Sequence, residues 1–404
     1  MSGLKTIALV DYQMDGHHGG WLLQFAETLL RQGNRVVCLS PEPEWMLREV
    51  QARAPDFAGA FSGIELHNAV FPRIPTVRLR EFFETVARWR KLAALIDKHM
   101  SRPPDVVCFG MLDGLLTIGL TPRLLTALFP HRWTGIYFHP RAERLHASRR
   151  PRPAFLRSDY ALQAANCSAV GILDEGIVES VARFVKPKPV LVFPDFSIPA
   201  PQSRQVPAWI SGIRARAGTR TIVGCIGALS QRKGIFTLLR LVGRKEMADF
   251  FFVFAGRFID SKITAEQRQQ WKSLVTNPPD NCLIRPESIP SDTAFDRLID
   301  TCDVLYAAYH RFPHSSNLLV KAAQFRKPII VSKGYCMEER ARKFSLGPTI
   351  TEDSDQECLA ALQSLRDDLS KPDYQPSEGF ERYFQEHSTT RLAESLRQLV
   401  HIPS

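Results

Sequence analysis

"CIGALSQRKGIFTLLRLV", residues 225–242, holds three features in a fixed order. An apolar, β-branched run ("TIVGCIG") ends on Gly227, a polar turn follows, and Lys233 and Gly234 then lead into a segment with the apolar spacing of a helix. A short buried strand that turns through glycine into a helix is the repeating unit of a parallel sheet, because parallel strands need crossovers rather than hairpins. Glycine lets backbone approach a ligand closely, and a lysine beside the free N–H groups of a helix start adds a full positive charge. An anion is therefore one natural occupant of this turn. An ordinary strand-to-helix turn with a solvated lysine fits the same residues.

The same alternation runs outward in both directions. Toward the N-terminus the strand candidates are "TIALVD", "RVVCLS", "DVVCFG", "TGIYFH", "SAVGIL" and "PVLVFP". Between the first two, "GWLLQFAETLLRQG" places Trp21, Leu22, Phe25, Ala26, Leu29 and Leu30 on one helical face and closes with Gly33. Toward the C-terminus follow "FFVFAG", "CLIRP", "DVLYAAY" and "PIIVSK", and the last segment, "TTRLAESLRQLV", has the pattern of an amphipathic helix. Strands apolar on both faces and joined by helices predict an α/β fold with parallel sheets wound on both sides.

Between these halves, residues 194–218 break the pattern with prolines and small polar residues. At 404 residues the chain is too long for one ordinary core, so two domains are expected. We expect residues 1–195 to form an N-terminal Rossmann-like domain, 196–218 a linker, 219–385 a C-terminal Rossmann-like domain and 386–404 a C-terminal helix that packs back toward the first domain. Two such doubly wound domains facing across a cleft would bind ligands outside the carboxyl ends of their strands.

Composition is that of a globular protein, 44% hydrophobic and 23% charged, which argues against disorder and coiled coil. The net charge of +10 attracts anions without naming one. The eight cysteines show no metal-ligand spacing and several (Cys38, Cys108, Cys225) sit in strand-like runs, so they read as reduced and buried. The N-terminus enters a strand without the pattern of a signal peptide, and no apolar run is long enough to span a bilayer. A cytoplasmic protein is expected, with any membrane contact peripheral on the inner face.

A second stretch complements the first. In "FPHSSNLLVKAAQFRKPIIVSKG", residues 312–334, Ser315, Ser316 and Asn317 precede a short apolar helix that also carries Lys321. If Ser316 or Asn317 caps that helix, its N–H groups and the two serine hydroxyls converge on one small anion. A capped structural helix is the plain alternative; two such loops in one domain favour a binding role.

These stretches carry a resemblance. "GALSQRKG" resembles the G-R-L-x-x-x-K-G loop of glycosyltransferase family 4 (group 1), which has the GT-B fold, and "SSNLLVKAAQFRKPII" with "SKG" resembles the donor-site segment that follows it. "DGHHGGWLLQFAETLLRQGNRVVCLS" resembles that family's glycine-rich opening. The resemblance implies transfer of a sugar from a nucleotide-sugar donor, UDP- or GDP-linked, to a glycan or lipid-linked acceptor in polysaccharide or glycoconjugate assembly. It implies retention of configuration, no metal and no cofactor beyond the donor itself. Lys233 would pair with the donor diphosphate, with Gly227, Arg232 and Gly234 in the same loop. Ser315, Ser316, Asn317 and Lys321 would lie along the phosphates and sugar, and Gly19 and Gly20 would let the first loop approach the donor. His139, in "YFHP", matches a histidine near the reacting sugar.

The donor site diverges from the family pattern at two points: the family's loop arginine is Ala228 here, and its paired glutamates fall on Pro313 and Lys321. His17 and His18 are adjacent and cannot face one point from a regular element, so they read as a loop that binds acceptor or donor, or as a solvated loop. The arginine-rich stretch after His139, with Arg141, Arg144, Arg149, Arg150, Arg152 and Arg157, could meet an anionic acceptor or an anionic membrane surface. Residues 79–93 alternate apolar and basic positions, and core packing is the favoured reading over a membrane helix. Two other functions compete: an inactive scaffold of the same fold that binds a nucleotide sugar, and a nucleic-acid binder, which is disfavoured because no recognition motif is present.

Overall fold

The computed structural model describes residues 5–14, 18–67, 76–140, 143–144, 153–198, 206–261 and 263–401. The chain divides into two compact units, one of Met1–Pro194 with Thr390–Ser404, the other Asp195–Thr389. His17, Arg149 and Arg150, named above as acceptor-side candidates, lie outside the described residues, as do Arg141 and Arg152 of the arginine-rich stretch.

The first unit is built on seven strands: β1 (Thr6–Val10), β2 (Arg35–Ser40), β3 (Phe61–Glu65), β4 (Val106–Phe109), β5 (Trp133–Tyr137), β6 (Cys167–Ile172) and β7 (Val190–Val192). They lie in the order β3-β2-β1-β4-β5-β6-β7 and every pair is parallel. The second unit has six: β8 (Thr221–Ile226), β9 (Phe250–Ala255), β10 (Cys282–Arg285), β11 (Val304–Ala307), β12 (Ile329–Ser332) and β13 (Thr349–Ile350). Their order is β10-β9-β8-β11-β12-β13, again all parallel. Each unit is the doubly wound α/β sheet that the sequence pattern predicts.

Most strands legible in sequence are covered on both faces, although the edge strands β7 and β10 were also legible from their apolar runs. All six side chains of β9, "FFFVFA", are buried, and such strands read as continuous apolar runs. The two strands absent from the sequence reading are sheet edges. β3 ("FSGIE") buries only Phe61 and leaves its other positions partly or fully exposed, and β13 has two residues. Neither needs an apolar run, so neither announces itself.

Part of the segment expected as linker is folded into the second unit. Residues 208–217 form two helical turns, Ala208–Ser211 and Ile213–Ala217, and Ile210, Ile213 and Ala217 are buried in its core. The C-terminal helix, Thr389–Val400, buries Leu392, Leu396, Leu399 and Val400. Lys5 Nζ donates to Val400 O (3.1 Å), Gln32 Nε2 to Ala393 O (2.7 Å) and Ser395 Oγ to Val192 O (3.3 Å), so this end of the chain is tied into the first unit.

The first core centres on Trp89, Phe109, Phe129 and Trp133, whose ring centroids lie 5.0–6.1 Å apart at tilted and edge-on angles, the arrangement the ring quadrupoles favour. All eight cysteines are buried free thiols. Burial pushes Cys225 up to about 12, which leaves it an inert packing residue.

The strand order fixes where a site can form. It reverses at β1/β4 in the first unit and at β8/β11 in the second. In open α/β sheets the loops leaving such strands turn to opposite faces, and ligands bind in the crevice this leaves at the carboxyl edge.

Candidate active site

In the second unit, both stretches singled out from sequence leave the switch-point strands. Residues 227–234 follow β8, and residues 308–316 follow β11. Gly227 has φ +97° and Gly234 φ +67°, conformations that favour glycine. A Cβ on Gly227 would stand 3.0 Å from Lys233 Nζ, and one on Gly234 would overlap the carbonyl oxygen of Ala308. The first glycine thus lets the lysine fold back over the strand end, and the second presses the two loops together. The latter contact is sealed by His310 N donating to Arg232 O (2.8 Å).

Lys233 is half-buried; its Nζ donates to Ile226 O at 3.3 Å and lies 5.0 Å from the centre of the Tyr309 ring. The ammonium is held at the carboxyl end of β8 by a carbonyl and a ring face, neither of which neutralises its charge. Arg232 is exposed, with Cζ 4.9 Å from the Phe312 ring centre. The two cations therefore line the loop on an aromatic wall made by the neighbouring loop.

The helix after the serines runs Asn317–Gln324 with Ser316 as its N-cap, and Ser316 Oγ accepts from Leu318 N at 3.4 Å. The Ser315 hydroxyl has a different employment from the convergent one expected. It donates to Asp195 Oδ2 (2.5 Å) and accepts from the Arg340 guanidinium (2.5 Å), which also reaches Tyr383 OH at 3.3 Å. Asp195, Arg340 and Tyr383 are all buried. Ser315 therefore anchors its loop to an internal ionic network. Asn317, the first helical residue, has a buried Oδ1 with no hydrogen-bond partner among the described residues.

Lys321 does not project from the helix face. It is 7% exposed, and its Nζ stands 2.5 Å from Asp296 Oδ1 on the helix Asp292–Thr301, with Ile198 O at 3.5 Å. Asp296, itself 8% exposed, supplies the negative charge that the lysine brings inside needs. The Lys321 charge is spent within the unit rather than presented to an anion.

In the first unit, the carboxyl edge at β1, β4 and β5 holds two histidine–carboxylate pairs. Asp113, in the loop after β4, accepts from Phe138 N (2.9 Å), His139 N (2.9 Å) and His139 Nδ1 (2.9 Å). The carboxylate thereby fixes the imidazole directly after β5, with the Nδ1 proton directed at Asp113. Asp11, at the end of β1, accepts from Gln13 N at 2.9 Å and meets His18 Nδ1 at 3.3 Å.

His18, Gly19 and Gly20 form the first turn of the helix His18–Arg31. A Cβ on Gly19 would press on Met14 O at 3.2 Å, whereas one on Gly20 would meet nothing within 4 Å. Among the described residues Gly19 is the tighter of the two positions, where a Cβ would need the Met14 carbonyl to give way slightly. Trp21 packs on Phe138 at 5.1 Å, tying this helix to the His139 loop.

The arginine-rich stretch is partly neutralised. Arg144 makes a two-pronged bond to Asp174 (2.7 and 2.7 Å), and Arg157 bonds Asp159 and Glu143. Burial works against the Arg157 charge, but these two carboxylates hold its pKa above the ordinary value. Both side chains serve the fold.

Sequence reasoning missed Asp11, Asp113, Asp195, Asp296 and Arg340. Asp11 had a signal, a carboxylate ending an otherwise apolar strand. The others bond to partners far along the chain and had none.

No family model matches the chain, and no curated protein matches it in sequence. Solved structures match over nearly the whole length. HepE from Anabaena, in complex with UDP and glucose, superposes with TM-score 0.64 at 14% identity, covering 98% of each chain. A glycosyltransferase from Rickettsia africae gives 0.65 at 11% identity, covering 99% of this chain and 100% of that one. The sucrose-phosphate synthase of Thermosynechococcus elongatus gives 0.63 at 16% identity, covering 98% of each.

The chain has the GT-B fold. Among the described residues, no helix of this GT-B chain is long and apolar enough to cross a membrane.

Proposed function

We propose that the chain is a glycosyltransferase that moves a sugar from a nucleotide-sugar donor to a glycan or lipid-linked acceptor. The observation that carries this reading is Lys233, whose ammonium lies over the end of β8 beside Gly227 with no carboxylate partner among the described residues. Sugar transfer develops negative charge on the departing diphosphate, and a fixed cation aimed at that charge lowers the barrier most where its position needs no rearrangement. Arg232 on the same loop, exposed and set against the Phe312 ring, would supply the second cation that Ala228 does not. The orphan acceptor Asn317 Oδ1 suits a hydroxyl of the donor. Structural neighbours solved with UDP, glucose and UDP-glucose support a nucleotide-sugar donor.

In this reading the second unit holds the donor and the first the acceptor. His139, oriented by Asp113, would lie at the reacting sugar, and His18 at the acceptor. The finer reading, retention of configuration without a metal, rests on the motif resemblance. The anomeric signal of the first-formed product, and transfer measured in EDTA, decide those two points.

The experiment is transfer and hydrolysis from a panel of nucleotide sugars, with Lys233→Ala beside the wild type. The variant should lose roughly 10²-fold in rate while its unfolding transition is unchanged; a wild-type rate overturns the assignment. A second reading is an inactive nucleotide-sugar-binding scaffold. It is favoured by the inward turn of Ser315 and Lys321, and would show as donor binding with no turnover.

A further inference from the structure

The helix Val77–His99 changes character along its length. From Thr85 onward it is a core helix, with Thr85, Trp89, Leu92, Ala93 and Ile96 buried. Before Thr85 no residue is buried, yet this portion carries Val77 (60% exposed), Leu79 (50%) and Phe83 (48%). The exposed apolar side chains are grouped. Leu79 and Phe83 lie one turn apart on one flank, and Phe83 stacks edge-on against Phe82 at 5.6 Å. Phe82 in turn lies against Gly119, where a Cβ would meet its ring at 3.4 Å, and the next residue back, Ile118, is 41% exposed.

The charges around this group are unbalanced. Within residues 77–91 stand Arg78, Arg80, Arg88, Arg90 and Lys91 against Glu81 and Glu84. Arg88 is turned inward to Gly114 O and Lys91 to His67 O, and Arg80 meets Glu84 at 3.6 Å. Arg78 and Arg90 are exposed, and Arg90 follows Phe83 at helical spacing on the same flank. Large apolar side chains interleaved with arginines, on a helix end that projects beyond its own core, form a surface that water satisfies poorly.

We propose that residues 77–83 and Ile118 form a docking surface for an anionic membrane, with the apolar side chains entering the interface and Arg78 and Arg90 meeting lipid phosphates. Charge selects this occupant. A second copy packed on the same surface would set two positive helices against each other, whereas an anionic leaflet neutralises them. Shallow insertion by a few side chains plus attraction to anionic headgroups is how helices lie on a bilayer without crossing it. The inference concerns the first unit alone and stands whether or not the chain transfers sugar.

The test is co-sedimentation of the full chain with vesicles of phosphatidylcholine alone and of phosphatidylcholine mixed with phosphatidylglycerol. The wild type should bind the anionic vesicles, less so as salt rises, and bind neutral vesicles weakly. Leu79→Ser with Phe83→Ser should lower the partition coefficient about tenfold or more with an unchanged unfolding transition, since both side chains are already half in water. Arg78→Glu with Arg90→Glu should abolish the preference for anionic lipid, an independent check should the serine variant misfold. Absence of wild-type binding to anionic vesicles, or full binding by both variants, overturns the proposal. A concentration-dependent dimer that the serine variant dissolves would also overturn it, in favour of a second copy.

Discussion

Lys321→Met offers the sharpest stability test of the site's construction. The side chains of Lys321 and Asp296 are 9% and 11% exposed and stand 2.5 Å apart. Methionine fills similar volume but leaves the Asp296 carboxylate buried without its cation. Breaking a buried ion pair from one side destabilises by about 3–5 kcal/mol, because the remaining charge keeps its desolvation penalty. For a domain of this size each kcal/mol lowers the midpoint by roughly 2–4 °C, so a loss of roughly 6–20 °C is expected in the transition of the second unit, read by calorimetry.

Adding Asp296→Leu removes the stranded charge and should bring stability back to within about 1 kcal/mol of the wild type. A single variant within about 0.5 kcal/mol of wild type, or a double variant no more stable than the single, would refute the pairing.

Gly234→Ala would force a Cβ against the Ala308 carbonyl at φ +67°. It should cost about 2 kcal/mol or more and weaken nucleotide binding in calorimetric titration; unchanged values for both would show that the two loops are not pressed together. Asp113→Asn should lower turnover about 10²-fold with little change in donor KM, because it loosens the His139 ring within the first unit; wild-type kcat would remove Asp113 from the site. His387 accepts from Asp195 N through Nδ1 (2.8 Å) and is held neutral well below its ordinary value of 6.5 by burial first, then by Arg340 and Lys343. Its contribution is complete above pH 6.5 and is lost as pH falls from there toward the depressed folded pKa. His387→Asn, whose side-chain oxygen can still accept, should flatten the stability profile in that acidic window; an unaltered slope would discount His387.

The sheets and their switch-point loops are written locally in the chain. Strands covered on both faces must be apolar throughout, as "FFFVFA" and "TIVGCI" are, and crossovers between them must carry helical spacing, so the α/β alternation is written locally. Gly227, Lys233 and Gly234 were legible for the same reason: a turn that demands positive φ and a lysine at a fixed offset from it are near-neighbour facts. Edge strand β3 was not, because an edge half in water needs no apolar signature.

How the polar groups are spent depends on long-range packing. Ser315 could have faced a ligand but is held by Asp195 and Arg340; Lys321 could have met a phosphate but is matched by Asp296; His139 gains its orientation from Asp113. A backbone conformation is set by residues a few positions apart. The partner of a buried charge is set by which elements the fold brings within a few ångströms, and its place along the chain leaves no local trace.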